Sequence, residues 1–171
     1  MENLYEKGIE KAAPGYVLFE NILILGNIFL GFWGMYSIKI FNVPVLSIIY
    51  AAIILYMLTF VLRKHLCTQC FYFGKTCHCG WGRLASGLYK QNSGNQEKGG
   101  KLAGATWATL MLVPIIAITI KLILSYSNNL LFLLIAFVVL VIINLGLHVK
   151  DCKECKMKNC CPGSAAKDKT A

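Results

Sequence analysis

Residues 130–149, LLFLLIAFVVLVIINLGLHV, decide the fold class of this chain. The stretch holds 20 residues without a single Asp, Glu, Lys or Arg. A helix rises about 1.5 Å per residue, so about 20 apolar residues cross the roughly 30 Å hydrocarbon core of a bilayer. The sequence therefore predicts a transmembrane helix here.

Three further apolar segments have a similar length: 16–38, 43–62 and 102–124. Pro44 suits the first turn of the second segment, and the polar run SYSNN at 125–129 predicts a tight turn before the last. We therefore predict an all-α integral membrane protein whose four transmembrane helices form two hairpins. The predicted divisions are an N-terminal segment 1–15, hairpin 16–62, Cys-rich loop 63–101, hairpin 102–149 and Cys-rich tail 150–171.

The composition agrees with a membrane protein. Hydrophobic residues make up 57% of the 171 residues and charged residues only 15%, with a mean hydropathy of +0.59. Soluble domains carry roughly a quarter charged residues.

The distribution of Lys and Arg predicts the orientation in the membrane. Of the 17 Lys and Arg residues, all but Lys39 and Lys121 lie in the N-terminal segment, the loop or the tail. Cytoplasmic loops carry an excess of these residues. We therefore expect a multi-pass plasma-membrane protein with both termini and the loop in the cytoplasm. The net charge of +9 is then explained by topology and by attraction to anionic lipids, without a nucleic-acid partner.

All eight cysteines fall in the two predicted cytoplasmic regions, and none lies in a predicted span. The loop cluster follows the second helix and the tail cluster follows the fourth. The cluster members are Cys67, Cys70, Cys77 and Cys79 in the loop, and Cys152, Cys155, Cys160 and Cys161 in the tail. In a reducing cytosol such paired cysteines favour metal ligation or catalytic thiols over disulfides.

The spacing indicates a metal site built from all or some of these eight cysteines. Each cluster begins with a C-x-x-C pair, and two such pairs close a tetrahedral zinc site. One shared zinc site would use Cys67, Cys70, Cys152 and Cys155, whereas in the other reading each cluster makes its own site. An iron–sulfur cluster is an alternative cofactor, since Cys161 and Pro162 resemble the end of a ferredoxin motif, although the run C-x-x-C-x-x-C is absent. Thiols without a metal are a further alternative.

Several other residues are candidates for a role. His78 lies between two cysteines and could replace one as a ligand, whereas His65 and His148 fit helix ends. Glu20 is the only acidic residue in a predicted span, and near its cytoplasmic end it could pair with a basic residue such as Lys101. We predict a short interfacial helix at 82–90 and a flexible linker at 91–101.

Three functions fit these patterns. The favoured hypothesis is a binding or scaffold module, in which a zinc-stabilised cytoplasmic platform docks a cytoplasmic protein or a membrane subunit. The alternatives are a membrane redox protein, with an iron–sulfur cluster or with dithiol and disulfide cysteines, and a soft-metal carrier. No phosphate-binding loop, H-E-x-x-H or G-x-S-x-G motif occurs in the sequence, so an enzymatic activity is not favoured but stays open.

Overall fold

The computed structural model describes residues 4–167, and within this range the chain is all-helical without a β-strand. Only two isolated β-bridges occur there, one joining Ile9 to Cys155 and the other joining Ile40 to Val43. Residues 1–3 and 168–171, which belong to the predicted N-terminal segment and tail, lie outside the described residues. The all-helical prediction is confirmed.

Four helical stretches are long and apolar enough to cross a membrane. The helices are α1 (Pro14–Met35), α2 (Val45–Tyr56), α3 (Leu62–His65), α4 (Trp81–Leu88), α5 (Gln96–Leu124) and α6 (Asn128–Glu154). A π-helical turn at Met57–Val61 joins α2 to α3, and a 3₁₀ turn at Cys67–Gln69 follows. The second span is thus one helical stretch, Val45–Gln69. Four such helices fit a polytopic membrane protein.

The third span begins earlier than the sequence indicated. The Asn95 Oδ1 accepts a hydrogen bond of 2.8 Å from the backbone N–H of Lys98 and so caps α5. An N-terminal cap of this kind satisfies a backbone donor that the helix leaves unpaired. The prediction of a flexible linker over 91–101 is therefore wrong for its second half, which forms the first six residues of α5.

The fourth span extends past its predicted end at Val149 to Glu154. This extra turn carries Asp151 and Cys152 on the helix instead of in an irregular tail. Asp151 is buried and lies seven residues, about two turns, after the buried Asn144. Both side chains therefore lie on the inner face of α6.

The first helix packs against α2, α5 and α6, and α5 likewise contacts each of the other spans. Met35, Ile54, Leu110 and Ile118 are fully buried at these contacts. Small residues permit the close approach, because a Cβ on Gly34 would lie 2.4 Å from Ile118 Cδ1. Small residues at helix contacts are typical of membrane bundles, where association depends on close packing.

Large apolar side chains cover the outside of the bundle. Many are about half exposed or more, among them Leu25, Phe29, Ile53, Phe132 and Ile142. In water such a continuous apolar surface would be unfavourable. The four helices therefore indicate a lipid bilayer as their environment.

Candidate cysteine-rich site

The N-terminal segment, the loop and the tail gather at one end of the bundle. The backbone N–H groups of Tyr5 and Ile9 donate to the carbonyls of Lys156 and Glu154, at 2.9 and 2.8 Å. The N–H of Ala12 donates to the carbonyl of Thr76 in the loop at 3.0 Å. The N-terminal segment therefore lies between the loop and the tail and bonds to both.

Tyr72 joins all three parts. Its ring is 1% exposed, and its hydroxyl donates to the carbonyl of Ile9 at 2.5 Å. The same oxygen accepts a hydrogen bond of 3.2 Å from the backbone N–H of Lys156. A buried tyrosine usually finds a partner for its hydroxyl, and here the partners belong to the two other parts of the site.

The return of the loop to α5 is fixed by side chains that follow α3. Thr68 is fully buried; its hydroxyl donates to the carbonyl of Lys64 at 2.6 Å and accepts from the N–H of Gly94 at 3.2 Å. Gln69 donates to the carbonyl of Gly94 at 2.9 Å and accepts from the N–H of Gln96 at 3.1 Å. The three bonds to Gly94 and Gln96 hold the start and the end of the loop together, and the bond to Lys64 orients the Thr68 hydroxyl.

This arrangement brings thiols of the two cysteine clusters together. Cys67 lies near enough to Cys77 of the loop and Cys161 of the tail to interact electrostatically with both. Cys70 interacts in the same way with Cys67 and Cys77, and with Cys155 of the tail. Cys155 and Cys161 also interact with each other. Two pairs of thiols from different clusters are therefore within electrostatic range of each other, Cys67 with Cys161 and Cys70 with Cys155.

Burial keeps these thiols neutral in the metal-free protein. It raises the pKa of Cys155 to about 11, and it raises the pKa values of Cys70 and Cys161 above the ordinary thiol value. Burial disfavours the charged form of an acid, so the thiol is retained. Since the thiolate is the form that binds a metal, metal binding here must displace protons.

No ready-made metal site accompanies these contacts. Among residues 4–167, no group of three or more His, Cys, Asp or Glu side chains is placed so that it could hold a metal ion. All eight cysteines are free thiols and partly exposed. The zinc and iron–sulfur assignments, and the choice of ligands among the eight, therefore remain predictions.

The remaining cysteines have other neighbours. The Cys152 sulfur lies 3.7 Å from Nε2 of His148, one turn earlier on α6. Cys79 faces the Glu20 carboxyl, and the Cys160 sulfur lies 3.8 Å from the Met157 sulfur. His65 has a structural partner, because its Nδ1 accepts from the N–H of Asn95 at 3.1 Å.

A buried polar cluster lies between α1, α6 and the loop. The Tyr16 hydroxyl donates to Oδ1 of Asp151 at 2.6 Å, and Nε2 of His78 lies 3.7 Å from the same oxygen. Glu20, His78 and Asp151 are each less than 9% exposed, and each has one buried polar atom without a hydrogen-bond partner in the described structure. Lys101 instead pairs with Glu97 at 2.7 Å, so the suggested Glu20–Lys101 pair is wrong. Sequence reasoning missed Asp151, because α6 was expected to end two residues before it.

Comparison with known proteins assigns the chain to no family: no family model, curated protein or solved structure matches it.

Proposed function

We propose that this multi-pass membrane protein is a scaffold or binding module whose Cys-rich platform is held together by one zinc ion. The observation that carries the proposal is that thiols of the two clusters lie within electrostatic range of each other, Cys67 with Cys161 and Cys70 with Cys155. These four thiols make up a four-sulfur ligand set, which structural zinc accepts in tetrahedral geometry. Cys161 takes the place that the sequence suggested for Cys152, because Cys152 lies beside His148.

Metal binding would complete the site by drawing the four thiols together. Structural zinc sites gain their stability by coupling binding to local folding, so the ligands need not converge beforehand. The hydrogen bonds of Tyr72 already hold the loop next to the tail. Metal binding therefore costs less conformational entropy than it would if these segments were free. Cys77, which also lies near Cys67 and Cys70, is available as an alternative ligand.

The platform fits the cytoplasmic side of two helical hairpins. Helix pairs α1–α2 and α5–α6 are sequence neighbours in contact, and the described N-terminal segment, loop and tail lie at one end of the bundle. This end carries most of the Lys and Arg residues, which supports a cytoplasmic location at the plasma membrane. The segments 1–15, 63–101 and 150–171 would form the platform, and its partner would be a cytoplasmic protein or another membrane subunit.

The test is elemental analysis of the detergent-purified protein, prepared without oxygen. We expect one zinc per chain in the wild type and none in Cys67→Ser or Cys155→Ser, which remove one thiol from each cluster. Cys79→Ser is the matched control, since Cys79 faces Glu20, and it should retain the zinc. Iron together with acid-labile sulfide would indicate an iron–sulfur cluster instead of zinc. A protein without any metal would overturn the proposal.

A redox function is the second candidate, and the contact between Cys152 and His148 favours it. An imidazole 3.7 Å from a thiol can take up its proton and produce a nucleophilic thiolate. Cys155 and Cys161 lie near enough to interact electrostatically with Cys152 and could resolve a mixed disulfide. A soft-metal carrier has less support, because the four spans contain no cysteine apart from Cys67 and Cys152 at their platform ends.

A further inference from the structure

A shallow cavity of about 350 Å³ opens between the N-terminal segment, the loop and α4. It is separate from the cysteine contacts and from the cluster around Asp151. Its lining residues are Glu10, Lys11, Gly74, Lys75, Thr76 and Arg83.

The cavity carries uncompensated positive charge. Among the described residues, Lys11, Lys75 and Arg83 form no ion pair within 4.0 Å. The one acidic residue of the lining, Glu10, is directed to Lys156, whose Nζ lies 4.0 Å from its Oε1. The Lys75 ammonium lies 4.0 Å from the centre of the Phe71 ring, which fixes its position by a cation–π interaction. Three cations on one small surface favour a ligand with a phosphate group.

The packing of α4 places the cavity beside the ends of apolar segments that are predicted to span the membrane. Helix α4 begins beside the first two turns of α1, where the Trp81 indole donates to Oδ1 of Asn21 at 3.3 Å. It ends beside the second span, where the Tyr89 hydroxyl donates to the carbonyl of Phe60 at 3.3 Å. Thus α4 packs against α1 and against the second span near Arg63, where the apolar run of that span stops, and this is the position of an interfacial helix.

Apolar side chains continue from the cavity toward the hydrocarbon. On α4, next to Arg83, Leu84 and Leu88 are each about half exposed. On α1, Leu18 is 63% exposed and lies about one turn before Asn21, which is hydrogen-bonded to α4. A ligand with a phosphate at one end and acyl chains at the other would contact both kinds of surface.

We propose that this cavity binds the phosphate group of an anionic phospholipid from the adjoining leaflet. Arg83 and Lys75 contact the phosphate oxygens and Lys11 contributes charge at the rim, while the acyl chains lie along Leu84 and Leu18. The bound lipid holds α4 and the N-terminal segment against the membrane. This site is independent of zinc, and its loss should leave the metal content unchanged.

The experiment is native mass spectrometry of the full-length, delipidated protein titrated with phosphatidylglycerol in the presence of excess phosphatidylcholine. The test variant is Lys75→Gln/Arg83→Gln. The control variant, Lys64→Gln/Lys98→Gln, removes the same charge from two exposed lysines outside the cavity. We expect the wild type to retain one phosphatidylglycerol, the test variant to bind it about tenfold more weakly, and the control to stay within about twofold.

Equal weakening in both variants would overturn the proposal, because it would indicate general attraction of a basic surface to anionic lipid. A competition experiment with inorganic phosphate then distinguishes a lipid headgroup from a soluble phosphate compound as the ligand. Phosphatidylglycerol that stays bound against excess phosphate supports a lipid site. Displacement by inorganic phosphate at a concentration equal to that of the lipid would instead indicate a soluble ligand and overturn the lipid assignment.

Discussion

The backbone N–H of Lys156 donates to the hydroxyl oxygen of Tyr72 at 3.2 Å. This bond joins the tail, two residues after the end of α6, to the loop after α3. Because the same hydroxyl donates to the carbonyl of Ile9, one buried side chain connects three parts of the chain that are far apart in sequence. The approach of the two cysteine clusters depends on this connection.

Replacing Tyr72 by Phe should destabilise the platform. The change leaves the N–H of Lys156 and the carbonyl of Ile9 without this partner, at a cost of about 1–3 kcal/mol in the free energy of unfolding. Thermal unfolding of the purified protein in detergent measures the effect. Tyr89→Phe is the control, because the Tyr89 hydroxyl makes only an exposed hydrogen bond of 3.3 Å to the carbonyl of Phe60. This variant should change the unfolding temperature little. Equal shifts in the two variants would contradict the role given to Tyr72.

Two glycines of α4 should respond in opposite directions to alanine. At Gly82 a Cβ would lie 2.0 Å from the carbonyl oxygen of Tyr72 and 2.8 Å from that of Lys75, and backbone atoms cannot move aside without distorting the loop. We expect Gly82→Ala to lower the free energy of unfolding by about 1–3 kcal/mol. At Gly87 a Cβ would meet nothing within 4 Å.

The Gly87→Ala variant should instead be more stable than the wild type. The higher helix propensity of alanine should raise its free energy of unfolding by up to about 1 kcal/mol. Thermal unfolding of both variants beside the wild type tests the pair. A Gly82→Ala protein as stable as the wild type would show that the loop does not pack against α4 in this way.

The fold was largely predictable from hydropathy. Runs such as 130–149 are apolar for nearly their whole length, and only a helix satisfies its own backbone hydrogen bonds in lipid. The helix ends were less predictable. Gln96 to Lys101 contains two glycines and reads as a linker, yet the Asn95 cap and the packing of the buried Gly99 beside Leu66 make it helical. The cap is a local interaction that the sequence could have indicated, whereas the packing of Gly99 depends on tertiary structure.

Thiol reactivity of the metal-free protein should depend on pH in a defined way. Burial raises the pKa of Cys155 to about 11, whereas an unfolded chain has a thiol pKa of about 8.5. At about pH 8 the folded protein should therefore contain on the order of a hundredfold less Cys155 thiolate, and iodoacetamide should modify it correspondingly slowly. Peptide mass spectrometry over time, with the unfolded chain as the reference, measures the rates.

The sign of the stability effect follows from the same shift. The folded state holds the thiol proton more tightly, so the stabilisation is complete below the ordinary pKa of about 8.5 and is lost as the pH rises toward about 11. The modification rate of the folded protein should continue to rise over this range. A rate that reaches its plateau near pH 9 would contradict the raised pKa of the partly buried Cys155.

The orientation can be tested with reporter fusions. If the Lys and Arg residues at the platform end set the topology, alkaline phosphatase fused after Ala171 should be inactive and a fluorescent protein fused there should fluoresce. Alkaline phosphatase inserted after Phe41, in the turn between the first two spans, should be active. The reverse pattern would place the cysteines on the oxidising side and favour disulfide chemistry.

The candidate site was only partly predictable. The spacing of Cys67 and Cys70, and of Cys152 and Cys155, identifies two pairs but contains no information on which thiols meet in space. That depends on the extra turn of α6, which places Cys152 beside His148, and on the bonds of Tyr72. A helical continuation from Asn144 to Asp151, both on one face, was the signal that could have placed Asp151 in the buried cluster.

The most direct test of the central claim, that one thiol pair from each cluster holds a single zinc, is X-ray absorption spectroscopy of the zinc-loaded protein. We predict one zinc per chain with four sulfur neighbours at about 2.3 Å, and loss of this site both in Cys67→Ser/Cys70→Ser and in Cys155→Ser/Cys161→Ser. Two zinc ions per chain, or a four-sulfur site that survives either double substitution, would contradict a shared site.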